Sequence, residues 1–259
     1  MKYRIKFSKH GSMKFIGHLD VMRYFQKAFR RSKIEVKLSE GFSPHQIMSF
    51  ASPLGIGLTT DGDYLDVTLV DDTLTTDYIF EKLQAEMNSE INLVHVSELS
   101  DDAKNSMSIV CACDYEVFVK PDKLSKFSKE YFSNLSENAE KFLEQETIVV
   151  TKKTKKSEKE MDIKEYIYEF RGVENKAHSS DDSTPPNLLF MRLTSGSVLN
   201  IKPELVMESF CKFLSIPYDF LDYQINRTEM YADKNAVKGQ VNTLTSEIKC
   251  DLVPLEDFN

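Results

Sequence analysis

The chain has 259 residues, 41% hydrophobic and 29% charged, a balance that supports two small folded domains or one large one and excludes wholesale disorder. No apolar run reaches the ~18 residues needed to span a bilayer, and residues 1–6 lead into no signal-peptide core, so a cytoplasmic protein is expected. The net charge of −8 is unevenly spread: residues 1–50 hold eleven Lys or Arg against three acids, a balance of +8, which leaves −16 for the remainder. Segregation of this size points to one face for an anion and a remainder that keeps the chain in solution.

Tyr3, Ile5 and Phe7 alternate with Lys2, Arg4 and Lys6, the period of a strand with one buried face. From about Gly17 the pattern turns helical, with Leu19, Met22, Phe25 and Phe29 on one side and Arg23, Lys27, Arg30 and Arg31 on another. Glu40 to Pro44 has turn chemistry. Tyr64 to Val70 alternates again, Thr75 and Thr76 can start a helix reaching Met87, and Ile91 to Val96 closes with a strand. The order is β-α-β-β-α-β, the ferredoxin-like arrangement.

Residues 100–106, polar throughout most of their length, read as a joint, after which the order recurs. Ser108 to Lys120 reads as a strand, Pro121 to about Gln145 as helical, and Thr147 to Arg171 as a long basic hairpin with its tip near Lys155 to Glu158. A strand within Asn187 to Asn200, a helix from Pro203 to Leu214 and a strand from Tyr223 to Tyr231 follow. The expected fold is therefore α+β: two ferredoxin-like units at 1–99 and 106–232, the second elaborated by a hairpin at 147–171, with 233–259 a loosely ordered polar tail.

Four basic or aromatic groups are candidates for RNA contact. On the strands, Lys2, Arg4 and Lys6 share a face with Tyr64 and Asp66; an open sheet face of this kind holds phosphates and stacks a base. The alternative is that Arg4 pairs with Asp66 across the strands and Tyr64 merely covers apolar surface. Arg23, Lys27, Arg30 and Arg31 form a cationic helix stripe that a polyanion would relieve. Phe42 and His45 sit on a turn that Gly41 and Pro44 make, and Lys152, Lys153, Lys155 and Lys156 arm the hairpin. His18, Asp20 and His45 offer a second, enzymatic reading, in which a histidine acts as general base on an RNA 2′-hydroxyl. No cysteine or histidine spacing matches a zinc or iron–sulfur motif, and Gly55-Ile56-Gly57 lacks the rest of a phosphate loop, so neither metal nor cofactor is expected.

The run Phe15-Ile16-Gly17-His18-Leu19-Asp20-Val21-Met22-Arg23, then Arg30-Arg31 and Ser39-Glu40-Gly41-Phe42-Ser43-Pro44-His45, is distinctive. With Ser49-Phe50, Pro53-Leu54, Gly57 and Tyr64-Leu65-Asp66, it resembles a radical-SAM-associated family of bacterial proteins, a domain of unknown function. In that family a serine often precedes the His-Leu-Asp triplet; this chain has Gly17. The resemblance implies a partner rather than a reaction, since such domains are fused to, or encoded beside, cobalamin-type radical SAM proteins. The expected function is a non-catalytic, RNA-binding accessory protein that presents tRNA or rRNA to a radical SAM modification enzyme. The alternatives are a docking module for a radical SAM or ribosomal protein, and a metal-independent RNA endonuclease or modifying enzyme using His18 or His45.

Overall fold

The computed structural model describes residues 1–153, 158–175, 184–237 and 239–258. The first elements are β1 (Lys2–Lys9), α1 (His18–Ser32), β2 (Met48–Phe50), β3 (Thr59–Thr68), α2 (Thr76–Gln84) and β4 (Ile91–Leu99). Then come α3 (Ser106–Ile109), β5 (Val110–Val119), α4 (Lys129–Ser133), α5 (Leu135–Glu144), β6 (Val149–Lys153) and β7 (Glu158–Asp162). The chain closes with β8 (Ile167–Glu174), β9 (Asn187–Thr194), α6 (Pro203–Phe213), β10 (Tyr223–Asp233) and β11 (Leu252–Pro254). The fold class is α+β, with antiparallel strand pairing throughout the registers that follow. Among the described residues no helix is long and apolar enough to cross a membrane.

These elements make two compact units. The first contains Met1–Cys111, Arg227–Asp233 and Leu252–Asn259; the second contains Ala112–Asn226 and Lys234–Asp251. In the first, the strand order is β4-β1-β3-β10, with β2 on β3 and β11 on β10. β1 runs antiparallel to both β3 and β4. Tyr3, Ile5 and Phe7 point from β1 into a core shared with Phe25, Ala28 and Phe29 of α1 and Ile79 and Leu83 of α2. Thr75 caps α2 by accepting the Tyr78 N–H, as its sequence position led us to expect. Gly62 of β3 is obligatory for a different reason: a Cβ there would lie 2.4 Å from the Thr228 carbonyl oxygen.

The opposite face of β1 carries Lys2, Arg4 and Lys6 by simple alternation. The register sets Arg4 across from Asp66 and Lys6 across from Tyr64. This face is covered, not open. Arg4 is 1% exposed. Its Nε and one Nη donate to the two Asp66 oxygens at 2.9 and 3.2 Å, and its remaining N–H groups reach the carbonyls of Lys104, Leu255 and Phe258. Asp66 also accepts the Ser106 N–H at 2.6 Å. The segment expected to be a loose tail thus supplies β11 and the wholly buried Leu255 to the first unit. Sequence alternation assigned the faces correctly, but what covers a face depends on residues about 250 positions away.

In the second unit the order is β10-β5-β9-β8, with β5 antiparallel to β9 and β9 antiparallel to β8. Phe142 of α5, Phe170 of β8 and Phe210 of α6 form a mutually packed trio, Phe210 edge-on to both others, with centroids 5.1–5.4 Å apart. The stretch expected to be one helix from Pro121 to Gln145 is a 3₁₀ turn followed by α4 and α5. Ser128 caps α4, accepting the Tyr131 N–H, and so starts a new helix. The expected long hairpin is shorter: β6 and β7 pair over 149–162. The chain then turns at Asp162, whose Oδ1 accepts the N–H groups of Ile148 and Lys164, and leaves to form β8.

Two substitutions test this account of the first unit. Arg4→Met strands a buried Asp66 and is expected to cost about 3–5 kcal/mol in denaturant unfolding. Gly62→Ala is expected to cost roughly 1–3 kcal/mol through the forced separation of β3 and β10. A loss below about 0.5 kcal/mol in either would contradict the packing described.

Candidate functional site

Helix α1 positions one half of the candidate surface. Gly17 starts it without a side-chain cap, Asp20 lies in its first turn, and Arg30 and Arg31 lie in its last, where cations suit the helix dipole. Lys33 ends it in the left-handed region, at φ 61°. With Val21, Phe25, Ala28 and Phe29 buried, Arg23, Lys27, Arg30 and Arg31 remain exposed. Arg23 reaches Asp20 at 3.2 Å, and Arg31 reaches Glu86 at 3.0 Å. Exposed pairs of this kind are worth at most about 1 kcal/mol and leave the cations accessible to a polyanion. Lys27 and Arg30 make no ion pair among the described residues.

The second half is the loop between α1 and β2. It is a narrow ribbon: Leu38 bridges Gln46, Ile47 donates to the Lys37 carbonyl, and Ser39 donates to the His45 carbonyl. Its tip runs from Glu40 to Pro44, and Gly41, at φ 107°, takes a conformation that disfavours any other residue. Phe42 at this tip is fully exposed. His45 is held at the base, its Nδ1 2.9 Å from the Ser39 hydroxyl, which also accepts the His45 N–H. The structure therefore presents Phe42 to solvent and uses His45 to close the ribbon.

The strand candidates are placed otherwise. Arg4, Lys6 and Tyr64 were expected on an open face, and all three are buried. Lys6 bonds Glu229 at 2.6 Å and Glu256 at 2.8 Å, while Tyr64 donates to Glu229 at 2.6 Å. Burial alone would lower the Lys6 pKa, but its two carboxylate partners outweigh that and raise it. Burial first, and the Glu229 charge second, raise the Tyr64 phenol. Arg4 adopts the pairing with Asp66 that was the alternative reading. Lys2 is half-buried and donates to the Asp101 carbonyl. Lys152 and Lys153 end β6, whereas Lys155 and Lys156 lie outside the described residues.

His18 and Asp20 part company. Asp20 is held by Arg23, whereas the His18 ring stands edge-on to Phe50 at 5.3 Å and makes no hydrogen bond among the described residues. His18 lines a small recess of about 10 Å³ with Lys9, Ser52, Leu54 and Asp63 among its neighbours. Asp63 accepts from Arg227 at 2.7 Å and from the Thr60 hydroxyl at 2.8 Å. Lys9 is 2% exposed, and burial lowers its pKa, with Asp63 opposing and Arg227 reinforcing the effect. Lys9, Asp63 and Arg227 were not anticipated. A signal existed for Lys9 alone, which continues the odd-numbered series of Tyr3, Ile5 and Phe7 and so puts a lysine at a core position.

The family model described as "Uncharacterized protein conserved in bacteria (DUF2344)" matches residues 2–203. The chain belongs to this family. No curated relative matches the sequence. A crystal structure titled as an unknown protein from Galdieria sulphuraria is 12% identical, covering 87% of this chain and 97% of that one, at a TM-score of 0.22. So slight a likeness carries neither fold nor function.

The match of this DUF2344 chain spans Lys9, His18, α1 and the Phe42 ribbon and stops short of Arg227. Among the described residues no three His, Cys, Asp or Glu side chains are grouped to hold a metal ion. The contrast between Phe42 and Phe50 checks the geometry of the ribbon. Phe42→Ser is expected to leave stability within about 0.5 kcal/mol. Phe50→Ser, at a core position, is expected to cost about 3 kcal/mol or more in the same denaturant experiment.

Proposed function

We propose that this protein is a non-catalytic RNA-binding accessory protein. The observation that carries the reading is the exposed stripe of Arg23, Lys27 and Arg30 on α1, in the same unit as the solvent-facing Phe42. Cations on a helix face neutralise phosphates, and an exposed aromatic on a preformed ribbon stacks a base without large ordering cost. The charge balance agrees with this division, because the exposed cations of residues 1–50 are those of α1 and, at Lys33 and Lys37, of the segment just after it.

We read each unit as ferredoxin-like. In support, the first unit runs β1-α1-β2-β3-α2-β4 with β1 between β3 and β4 and with β2 on the far side of β3. The second repeats the order with β5, α5, β8, β9, α6 and β10. The recipient of the bound tRNA or rRNA is taken to be a radical SAM modification enzyme, on the family resemblance alone.

The test is affinity for labelled tRNA and rRNA fragments across a salt series. The unaltered protein should bind at submicromolar strength at ~50 mM salt and weaken steeply as salt rises. Arg23→Glu, Lys27→Glu and Arg30→Glu together should lower affinity at least about tenfold and flatten the salt dependence. Phe42→Ser should weaken binding about fivefold or more without changing the slope. No binding at ~50 mM salt would overturn the reading and favour a protein-docking module.

A further inference from the structure

We infer that the recess beside His18 receives an oxygen of a terminal phosphate on a bound RNA strand; the inference rests on the RNA-binding reading and names what that surface would select. Lys9 carries the argument. Its ammonium is almost wholly buried and donates to the carbonyls of Met13 at 3.3 Å and Leu58 at 3.1 Å. An ammonium has three donors, and the third has no acceptor among the described residues. A buried donor left without a partner is costly, so the site favours an acceptor brought from outside.

Charge sharpens the point. Asp63 is committed to Arg227 and Thr60, and the Asp63–Arg227 pair is neutral as a unit. That leaves the Lys9 cation only partly offset by Asp63 beside the recess, with carbonyl dipoles as its direct partners among the described residues. An anionic oxygen would supply both the missing acceptor and the missing charge. His18, also lining the recess and with no hydrogen bond of its own, is a second group available to it.

Size decides what kind of anion enters. About 10 Å³ holds one water-sized group, so a single oxygen can project inward while the rest of the ligand stays outside. An internal phosphodiester can also turn a non-bridging oxygen inward, but a terminal phosphate projects clear of a sugar on one side and carries more charge, so the recess favours the terminal group. Exposed apolar side chains neighbour the lining residues in sequence. Phe15, Leu19 and Ile56 are exposed apolar side chains on the segments that wall the recess, and the Gly57 N–H bonds the Lys14 carbonyl at 2.8 Å, tying two of those segments together. An aromatic or aliphatic platform beside a phosphate seat is how proteins hold a terminal nucleotide.

The experiment compares one single-stranded oligoribonucleotide carrying a 5′-phosphate, a 3′-phosphate or hydroxyl at both ends, with a free nucleoside monophosphate and inorganic phosphate as further probes. The unaltered protein should bind one phosphorylated end about tenfold more tightly than the hydroxyl-ended strand. Lys9→Met should abolish that preference. Because Lys9 also joins two loops, His18→Ala provides a readout independent of that tie and should reduce the preference severalfold. Equal affinity for phosphorylated and hydroxyl-ended strands would overturn the inference and leave the RNA-binding surface standing, the recess then holding water. Tight binding of the free monophosphate or inorganic phosphate, without end preference on RNA, would overturn it in favour of a free-anion site. Absence of binding to any RNA would overturn the parent reading as well.

Discussion

A guanidinium removed from water must find an acceptor for each of its five N–H groups, and Arg4 does so. Two go to Asp66 on the neighbouring strand, and three go to the backbone carbonyls of Lys104, Leu255 and Phe258. One side chain therefore joins β1, β3, the segment leading into α3 and the segment that follows β11. Lys6 and Tyr64 repeat the arrangement one register position along, converging on Glu229 and drawing in Glu256. Removing Arg4, Asp66 or Lys6 leaves a buried charge uncompensated, which is why this face of the sheet is committed to structure and not to a ligand.

That commitment redistributes the basic charge of residues 1–50. Arg4 and Lys6 are buried against carboxylates that neutralise them, so they contribute little to the field outside, and Lys9 is buried against carbonyls beside the recess. The exposed cations are those of α1, with Lys33 and Lys37 just after it, as expected for a helix whose apolar stripe of Val21, Phe25, Ala28 and Phe29 is filled by the core. Anion recognition by this unit thus moves from the sheet to the helix and to the ribbon that follows it.

Alternation of Tyr3, Ile5 and Phe7 with Lys2, Arg4 and Lys6 was enough to divide β1 into two faces, and the apolar stripe of α1 was enough to place that helix. Local capping chemistry likewise announced α2 at Thr75. What could not be read locally was long range. The strand face looked open because the residues covering it come from the far end of the chain, where the short apolar run Leu252 to Leu255 follows a polar stretch and shows no period of its own. Phe42 and His45 were legible as a pair through the turn chemistry of Gly41 and Pro44, but only the register of the ribbon separates the exposed tip from the closing histidine. The Lys9, Asp63 and Arg227 grouping depends on β1, β3 and β10 meeting, and no spacing in the sequence encodes that.

The central claim is a division of labour: the buried Arg4 and Lys6 of β1 hold the fold, while α1 and the Phe42 ribbon meet RNA. Backbone amide shifts followed by NMR during titration with an unlabelled RNA fragment test it most directly. The account predicts perturbations concentrated on residues 23–33 and 40–45, with the amides around Arg4, Lys6 and Tyr64 unmoved. Perturbations centred on β1 and β3, with α1 silent, would contradict it.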